Sequence, residues 1–196
     1  MMKTNVRSFT DKELLDRVEA IGGKIPNRGK YLCIGVQSKE DQYNVFDDKF
    51  YLYDGCDFVM VSSGTTNAGS TALKTFDKYN LEGAAVWRTD QFVEDCFAPG
   101  LHKSKMKALR QHSPIEYYRD SNKDNRADQT GKLHKGIIWA NMHGVSYDAE
   151  SNIIKTNIGG WSFACQVWNN MPDYHNMIDL TWKRDLPIDY ALLKEF

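Results

Sequence analysis

The chain has no apolar run long enough to cross a bilayer; none of its segments approaches the ~18 consecutive apolar residues of a spanning helix. It has no excess of charge either. With 25 Lys+Arg against 26 Asp+Glu the net charge is -1, so there is no global basic field to hold nucleic acid or an anionic membrane. Cysteine is scarce and scattered: Cys33, Cys56, Cys96 and Cys165 form no C-x-x-C. That is neither a zinc spacing nor a useful disulfide framework, and reduced thiols in a cytosolic protein are expected. The first residues, MMKTNVRSFTDKELL, lack an apolar h-region. The expectation is synthesis in the cytoplasm without a signal peptide, with any action outside the cell depending on other means. Internal repeats, low-complexity tracts and Pro/Ser/Gly-rich linkers are also missing, so residues 1–196 read as a single domain.

What is present argues for a folded, mostly β protein. Hydrophobic residues make up 41% and aromatics 12%, too much for a disordered chain, and the length suffices to bury a core without disulfides. Thr10-Asp11-Lys12-Glu13 is a capping box, and Leu14, Leu15, Val18 and Ile21 follow at helical spacing before Gly22-Gly23. This predicts one amphipathic helix over 11–21, an appendage whose role is packing. Strand-like runs follow at Tyr31 to Val36, Phe50 to Tyr53, Phe58 to Ser62, Glu82 to Arg88 and Ile115 to Arg119. Further runs are Ile137 to Met142, Ile153 to Ile158, Gln166 to Trp168 and Tyr190 to Leu193. Asp54-Gly55 and Pro99-Gly100 read as turns, Gly64 to Gly69 as a polar loop, Lys103 to Arg110 as a short basic helix or loop, and Asp173 to Leu180 as helical. Many short strands, frequent turns and few helices predict a mainly β, α+β architecture built on a sandwich or a strongly bent sheet.

The stretch from Asn141 to Trp168 carries the chemistry-bearing residues. It holds His143-Gly144 at a strand end and, after a Gly159-Gly160 turn, Trp161, Ser162, Ala164, Cys165 and Gln166. A thiol attacks a carbonyl as thiolate, and an imidazole beside it can take its proton. A hairpin-like return from His143 could bring Cys165 to it, and the small residues at Gly159, Gly160 and Ala164 would let backbone N–H groups face a developing oxyanion. From spacing alone, Cys165 as a small core residue and His143 as a polar cap stay open. His102, followed by Lys103 and Lys105, could line a cleft or bind a substrate carboxylate, or be a solvated loop residue. His112, His134 and His175 read as surface residues. No zinc site is expected, because that needs three ligands in an ordered cluster. Asp120, Asn122, Asp124 and Asp128 alternate like the first half of a calcium loop, but Asn125 and Gly131 stand where an EF-hand wants Gly and Glu. A weak calcium site and a solvated Asx-rich turn are the two readings.

Asn141-Met-His143-Gly144 followed by Gly160-Trp161-Ser162-Phe-Ala164-Cys165 resembles the signature of the L,D-transpeptidase (YkuD-like) family, a His-Gly followed by a Ser/Thr-His-Gly-Cys block. Phe46-Asp47-Asp48, Thr65-Thr66-Asn67, Gly100-Leu-His102 and Tyr118-Arg119-Asp120 extend the likeness to a divergent branch found in phages and bacteria. The resemblance covers the chain from about residue 40 to the end and implies a β-rich catalytic core there, about 40–196, acting on the stem peptide of peptidoglycan. Cys165 would form a thioester, His143 would take the thiol proton, and a carbonyl near Gly144 would orient the imidazole. Backbone around Ala164 and Cys165 would hold the oxyanion, with Ser162, Gly160, Trp161, Gln166 and His102 as binding residues. No cofactor is implied. Phe163 and Ala164 replace the family's second His and its Gly, and Gln166-Val167 replaces the residues usual after the Cys. A phage-borne lysis or virion-associated wall enzyme is the expectation; a non-catalytic, tail-associated wall-binding module on the same fold is the alternative. Neither implies a nucleic-acid partner, a membrane span or an oligomeric state.

Overall fold

A computed structural model of the chain describes residue 4 and residues 6–196; the leader reading above falls partly on residues 1–3 and 5, which lie outside them. The helix α1 (Asp11–Ala20) forms where its capping box predicts. Thr10 accepts from the Glu13 N–H, and the Glu13 carboxylate accepts from the Thr10 N–H. Eleven strands follow among the described residues: β1 (Tyr31–Gln37), β2 (Asp48–Asp54), β3 (Asp57–Thr65), β4 (Ala84–Trp87), β5 (Gln91–His102), β6 (Met106–Gln111), β7 (Ile115–Asp120), β8 (His134–Gly136), β9 (Met142–Gly144), β10 (Gln166–Trp168) and β11 (Ile188–Lys194). Two more helices, α2 (Ser70–Thr75) and α3 (Met171–Arg184), complete the chain.

The mainly β, α+β expectation holds. The principal sheet closes on itself as a barrel in the order β1-β11-β5-β6-β9-β10-β3-β2, and β4, β7 and β8 form a separate three-stranded sheet. Closure joins the first and last strands of the principal sheet, which neither the sandwich nor the open bent sheet would have done.

β1 is buried along its whole length because both its faces are covered. Cys33 faces the interior cluster with Phe50, Leu52, Phe97, Tyr190 and Trp168. Leu32, Ile34 and Val36 face outward and meet Leu14 and Val18 of α1. Burial of a Leu or Val is worth about 1.5–3 kcal/mol, so α1 is a lid on a hydrophobic outer face. β1 also starts ahead of residue 40 and pairs with both β2 and β11, so the barrel begins earlier than the sequence boundary placed it.

Several local expectations are corrected. Pro99-Gly100 is not a turn: both lie inside β5, opposite Leu109 and Ala108. β5 pairs with β11 only as far as Phe97, so Pro99 sits where one side of the strand has no partner and its missing N–H costs nothing. The reversal comes at Lys103-Ser104, with φ of 48° and 58° and the Lys105 N–H donating to the His102 carbonyl, a type I′ turn without glycine. Lys103 to Arg110 is therefore a hairpin arm, not a helix. Residues 137–141 are irregular, because the Gln111 side-chain carbonyl accepts the N–H groups of Ile138 and Ala140 in place of a neighbouring strand. Residues 153–158 make only isolated bridges, Ile154 to Asn170 and Val45 to Asn157. The polar stretch after Gly64 ends in α2, which the sequence reading did not predict. No helix among the described residues is long and apolar enough to cross a membrane.

Candidate active site

β9 and β10 run parallel, with Met142 opposite Gln166 and His143 opposite Val167. The hairpin-like return is thus replaced by a crossover, and the register sets Cys165 beside Asn141. The Gln166 N–H donates to the Asn141 carbonyl at 3.0 Å and locks that register. The third contributor is His102 at the tip of the β5–β6 hairpin. Its ring stacks on His143 with centroids 4.1 Å apart and an interplanar angle of 28°. One ligand-type atom from each of His102, His143 and Cys165 lies within 4.8 Å of the others, and all three residues are buried.

The protonation pattern follows from the partners. His143 Nδ1 lies 2.8 Å from the Gly144 carbonyl, which can only accept, so the ring proton is on Nδ1. Nε2 is left with a free lone pair, buried and without a hydrogen-bond partner. An orphan acceptor in a packed interior calls for an explanation in function. Burial drives the His143 pKa down to about 3, helped by the His102 ring and opposed by the Gly144 carbonyl. Burial pushes the Cys165 thiol up to about 11, against the pull of Asn141 and Phe163 backbone groups and of Lys103. The resting pair is therefore a neutral thiol beside a neutral imidazole base.

His102 is oriented by a relay. The Gln111 N–H donates to Asn141 Oδ1 at 3.1 Å, which turns the Asn141 amide N–H toward His102 Nδ1 at 3.1 Å. Nδ1 must accept, so the proton of the neutral ring sits on Nε2. Burial first, then Lys103, lower the His102 pKa to about 4.

Two backbone features hold the loop. Gly144 is required by close approach: a Cβ there would meet Met171 Sδ and Tyr174 Cδ1 of α3 at 2.7 Å. Ala164, one residue before the thiol, has φ 150°, a conformation that side-chain-bearing residues rarely adopt. Its carbonyl accepts from the Trp87 indole N–H at 2.8 Å, so the barrel core holds the strained residue in place.

The other sequence-selected residues divide into those at the rim and those that brace it. Trp161 is half-buried, 6.4 Å from the His143 ring, and packs on Tyr147 at 5.6 Å. Lys155 lies 5.6 Å from the Trp161 ring, and Lys105 lies 5.9 Å from Tyr147. Ser162 is fully buried and donates its hydroxyl to the Cys165 carbonyl at 2.8 Å. The Gln166 amide points into the barrel, donating to the Thr66 carbonyl and accepting from the Tyr190 hydroxyl at 2.6 Å. Gly160 is exposed, and a Cβ there would meet only Thr71. Phe163 lies away from the thiol, edge-on to Tyr79 in the small cluster around α2. Gln111, Tyr147 and Lys155 were not singled out from sequence, and Asn141 stood out only as part of the His-Gly motif. Only Asn141, adjoining the His-Gly pair, carried a local signal.

A cleft of about 360 Å³ opens beside Tyr147, lined in part by Leu101, Lys105, Met106, Tyr174 and Ile178. On the other sheet, Asp120, Asp124 and Asp128 converge. Asn122 donates its amide to Asp124 and Asp128, and successive backbone N–H groups bond back to Asp120, Asn122 and Asp124 as chained Asx turns. His112 is exposed, while His134 stacks on Tyr117 and His175 meets the Ser151 carbonyl. No family model, no curated protein and no solved structure matches this chain.

Proposed function

We propose that the protein is a cysteine acyl-transfer enzyme of the L,D-transpeptidase type, acting on the stem peptide of peptidoglycan. The observation that carries the chemistry is the buried, unpartnered Nε2 of His143, with Nδ1 pinned by the Gly144 carbonyl and a ring nitrogen of His143 within 4.8 Å of the Cys165 sulfur. When a substrate carbonyl enters, sulfur forms a bond to its carbon and the thiol proton passes to His143 Nε2. The tetrahedral intermediate collapses as the scissile C–N bond breaks, and the leaving amine takes that proton. The thioester is then resolved by water or by another amine. His102, neutral and with its proton on Nε2, is a donor available to the substrate, set by the Gln111–Asn141 relay.

The substrate class rests on the motif resemblance. Lys155 and Lys105 on the rim, with Lys103 nearby, suit a peptide rich in carboxylates. The family branch makes a phage-borne lysis or virion-associated enzyme the working context. The test is product analysis by mass spectrometry after incubation with isolated stem peptides and wall fragments. Shortened or crosslinked peptides are expected from the wild type and none from Cys165→Ala. Equal products from both proteins would sink the proposal.

The alternative, a wall-binding module that has lost catalysis, drew on Phe163 in place of a histidine. The Phe163 ring packs edge-on against Tyr79 in the cluster around α2, and His143 and Cys165 still lie together.

A further inference from the structure

We infer that His102, His143 and Cys165 form a reversible site for a thiophilic transition-metal ion of the Zn²⁺ class, and that a bound ion withdraws the sulfur from chemistry. Two nitrogens and a sulfur from three separate segments lie within 4.8 Å of one another. Ligands of a tetrahedral zinc stand about 3.3–3.8 Å apart, given Zn–N and Zn–S bonds of about 2.0–2.3 Å. Side-chain adjustment of about 1 Å would close the set, leaving a fourth position open.

The second sphere favours two of the three ligands. A metal-binding histidine needs its other ring N–H donated to a fixed acceptor, and His143 has that arrangement, with Nδ1–H on the Gly144 carbonyl and Nε2 bare. Cys165 supplies a soft sulfur that selects zinc or a similar ion over magnesium or calcium. His102 is the reluctant third. Asn141 offers an N–H, not an acceptor, to its Nδ1, so the ring proton sits on Nε2 and neither nitrogen is free for a metal as the ring stands. Binding costs His102 that proton or its bond to Asn141. The result is a site that fills and empties, a brake on the thiol rather than a resident structural ion. On binding, the Cys165 S–H proton goes to solvent and a metal–sulfur bond forms, with nothing oxidised or reduced.

The test uses the full chain with the exposed Cys56 changed to Ser, in a thiol-free reductant, titrated with Co²⁺ and Cd²⁺. One equivalent should give a sulfur-to-metal charge-transfer band and, for Co²⁺, tetrahedral d–d bands. Cys165→Ser should abolish the charge transfer, and His102→Ala should weaken binding at least tenfold. Asn141→Asp keeps the acceptor for Gln111 and gives His102 Nδ1–H a carboxylate; binding should tighten about 10- to 100-fold. No band at millimolar metal, a band that survives Cys165→Ser, or an affinity indifferent to both His102→Ala and Asn141→Asp overturns the site. The blocking half rests on the thioester reading and is read separately, by acylation with and without excess Zn²⁺. Undiminished acylation under zinc overturns the brake. A chain that binds Co²⁺ through Cys165 yet never takes an acyl group supports the metal site and counts against the thioester reading.

Discussion

At the scale of single residues, the neutral thiol–imidazole pair has a direct kinetic consequence. Burial holds Cys165 protonated up to about pH 11 and His143 unprotonated down to about pH 3. Because the raised thiol pKa keeps sulfur in its unreactive form through neutrality, alkylation by iodoacetamide should climb steadily from pH 7 toward 11. A plateau reached by pH 6 would reveal a resting thiolate–imidazolium pair instead. Ala164 gives a second residue-scale expectation. A side chain held at φ 150° costs on the order of 1–3 kcal/mol, so Ala164→Gly should raise the melting temperature despite the added unfolded-state freedom of glycine. An unchanged or lowered midpoint would mean that the surrounding packing relieves the strain. The sequence made Cys165 and His143 legible because they lie in one short motif. His102 was legible only as a histidine near lysines; its place on the His143 ring depends on long-range strand register, which no local pattern encodes.

At the scale of elements, the crossover between β9 and β10 and the docking of α3 decide whether the site forms. Gly144 ends β9 against Met171 and Tyr174 of α3. Gly144→Ala would force those side chains apart, at a cost of about 1–3 kcal/mol, and should lower the melting temperature while slowing Cys165 acylation. A variant that melts and reacts like wild type would show that α3 yields without disturbing the base. Elements with strong local signals were read well from sequence. The capping box placed α1, the run Tyr31 to Val36 placed β1, and Asp54-Gly55 placed the β2–β3 turn. The misses have physical causes. Pro99-Gly100 is a turn signal that a half-paired strand tolerates. The true turn at Lys103-Ser104 carries no glycine or asparagine to announce its left-handed backbone. Residues 137–141 are apolar enough for a strand, yet the Gln111 side chain takes the N–H groups of Ile138 and Ala140.

At the scale of the whole molecule, closure turns motifs scattered along the chain into one scaffold. Asp48 accepts from the Ser38 N–H and from both the N–H and hydroxyl of Thr66, tying the Phe46-Asp47-Asp48 segment to Thr65-Thr66-Asn67. Gln166 then reaches the Thr66 carbonyl, so this network runs to the residue after Cys165. The strand-like runs marked where strands form but not that β1 would meet both β2 and β11, because closure is a property of all eight strands together. The apolar stripe of α1 did signal its packing role: Leu14 and Val18 cover Leu32, Ile34 and Val36. Removing residues 1–22 should therefore cause aggregation or a marked loss of thermal stability. An unchanged melting curve for the truncated protein would restore α1 to the status of an appendage.

The central claim is that Cys165 is a nucleophile whose proton goes to His143. Intact-protein mass spectrometry after exposure to a thiol-reactive acylating probe tests it most directly. The wild type should gain one acyl group on Cys165, Cys165→Ser should gain none there, and His143→Ala should acylate about 10²–10⁴-fold more slowly, the range typical of a lost general base. Acylation of Cys165 at the same rate with and without His143, or no acylation of the folded wild type at all, would contradict it.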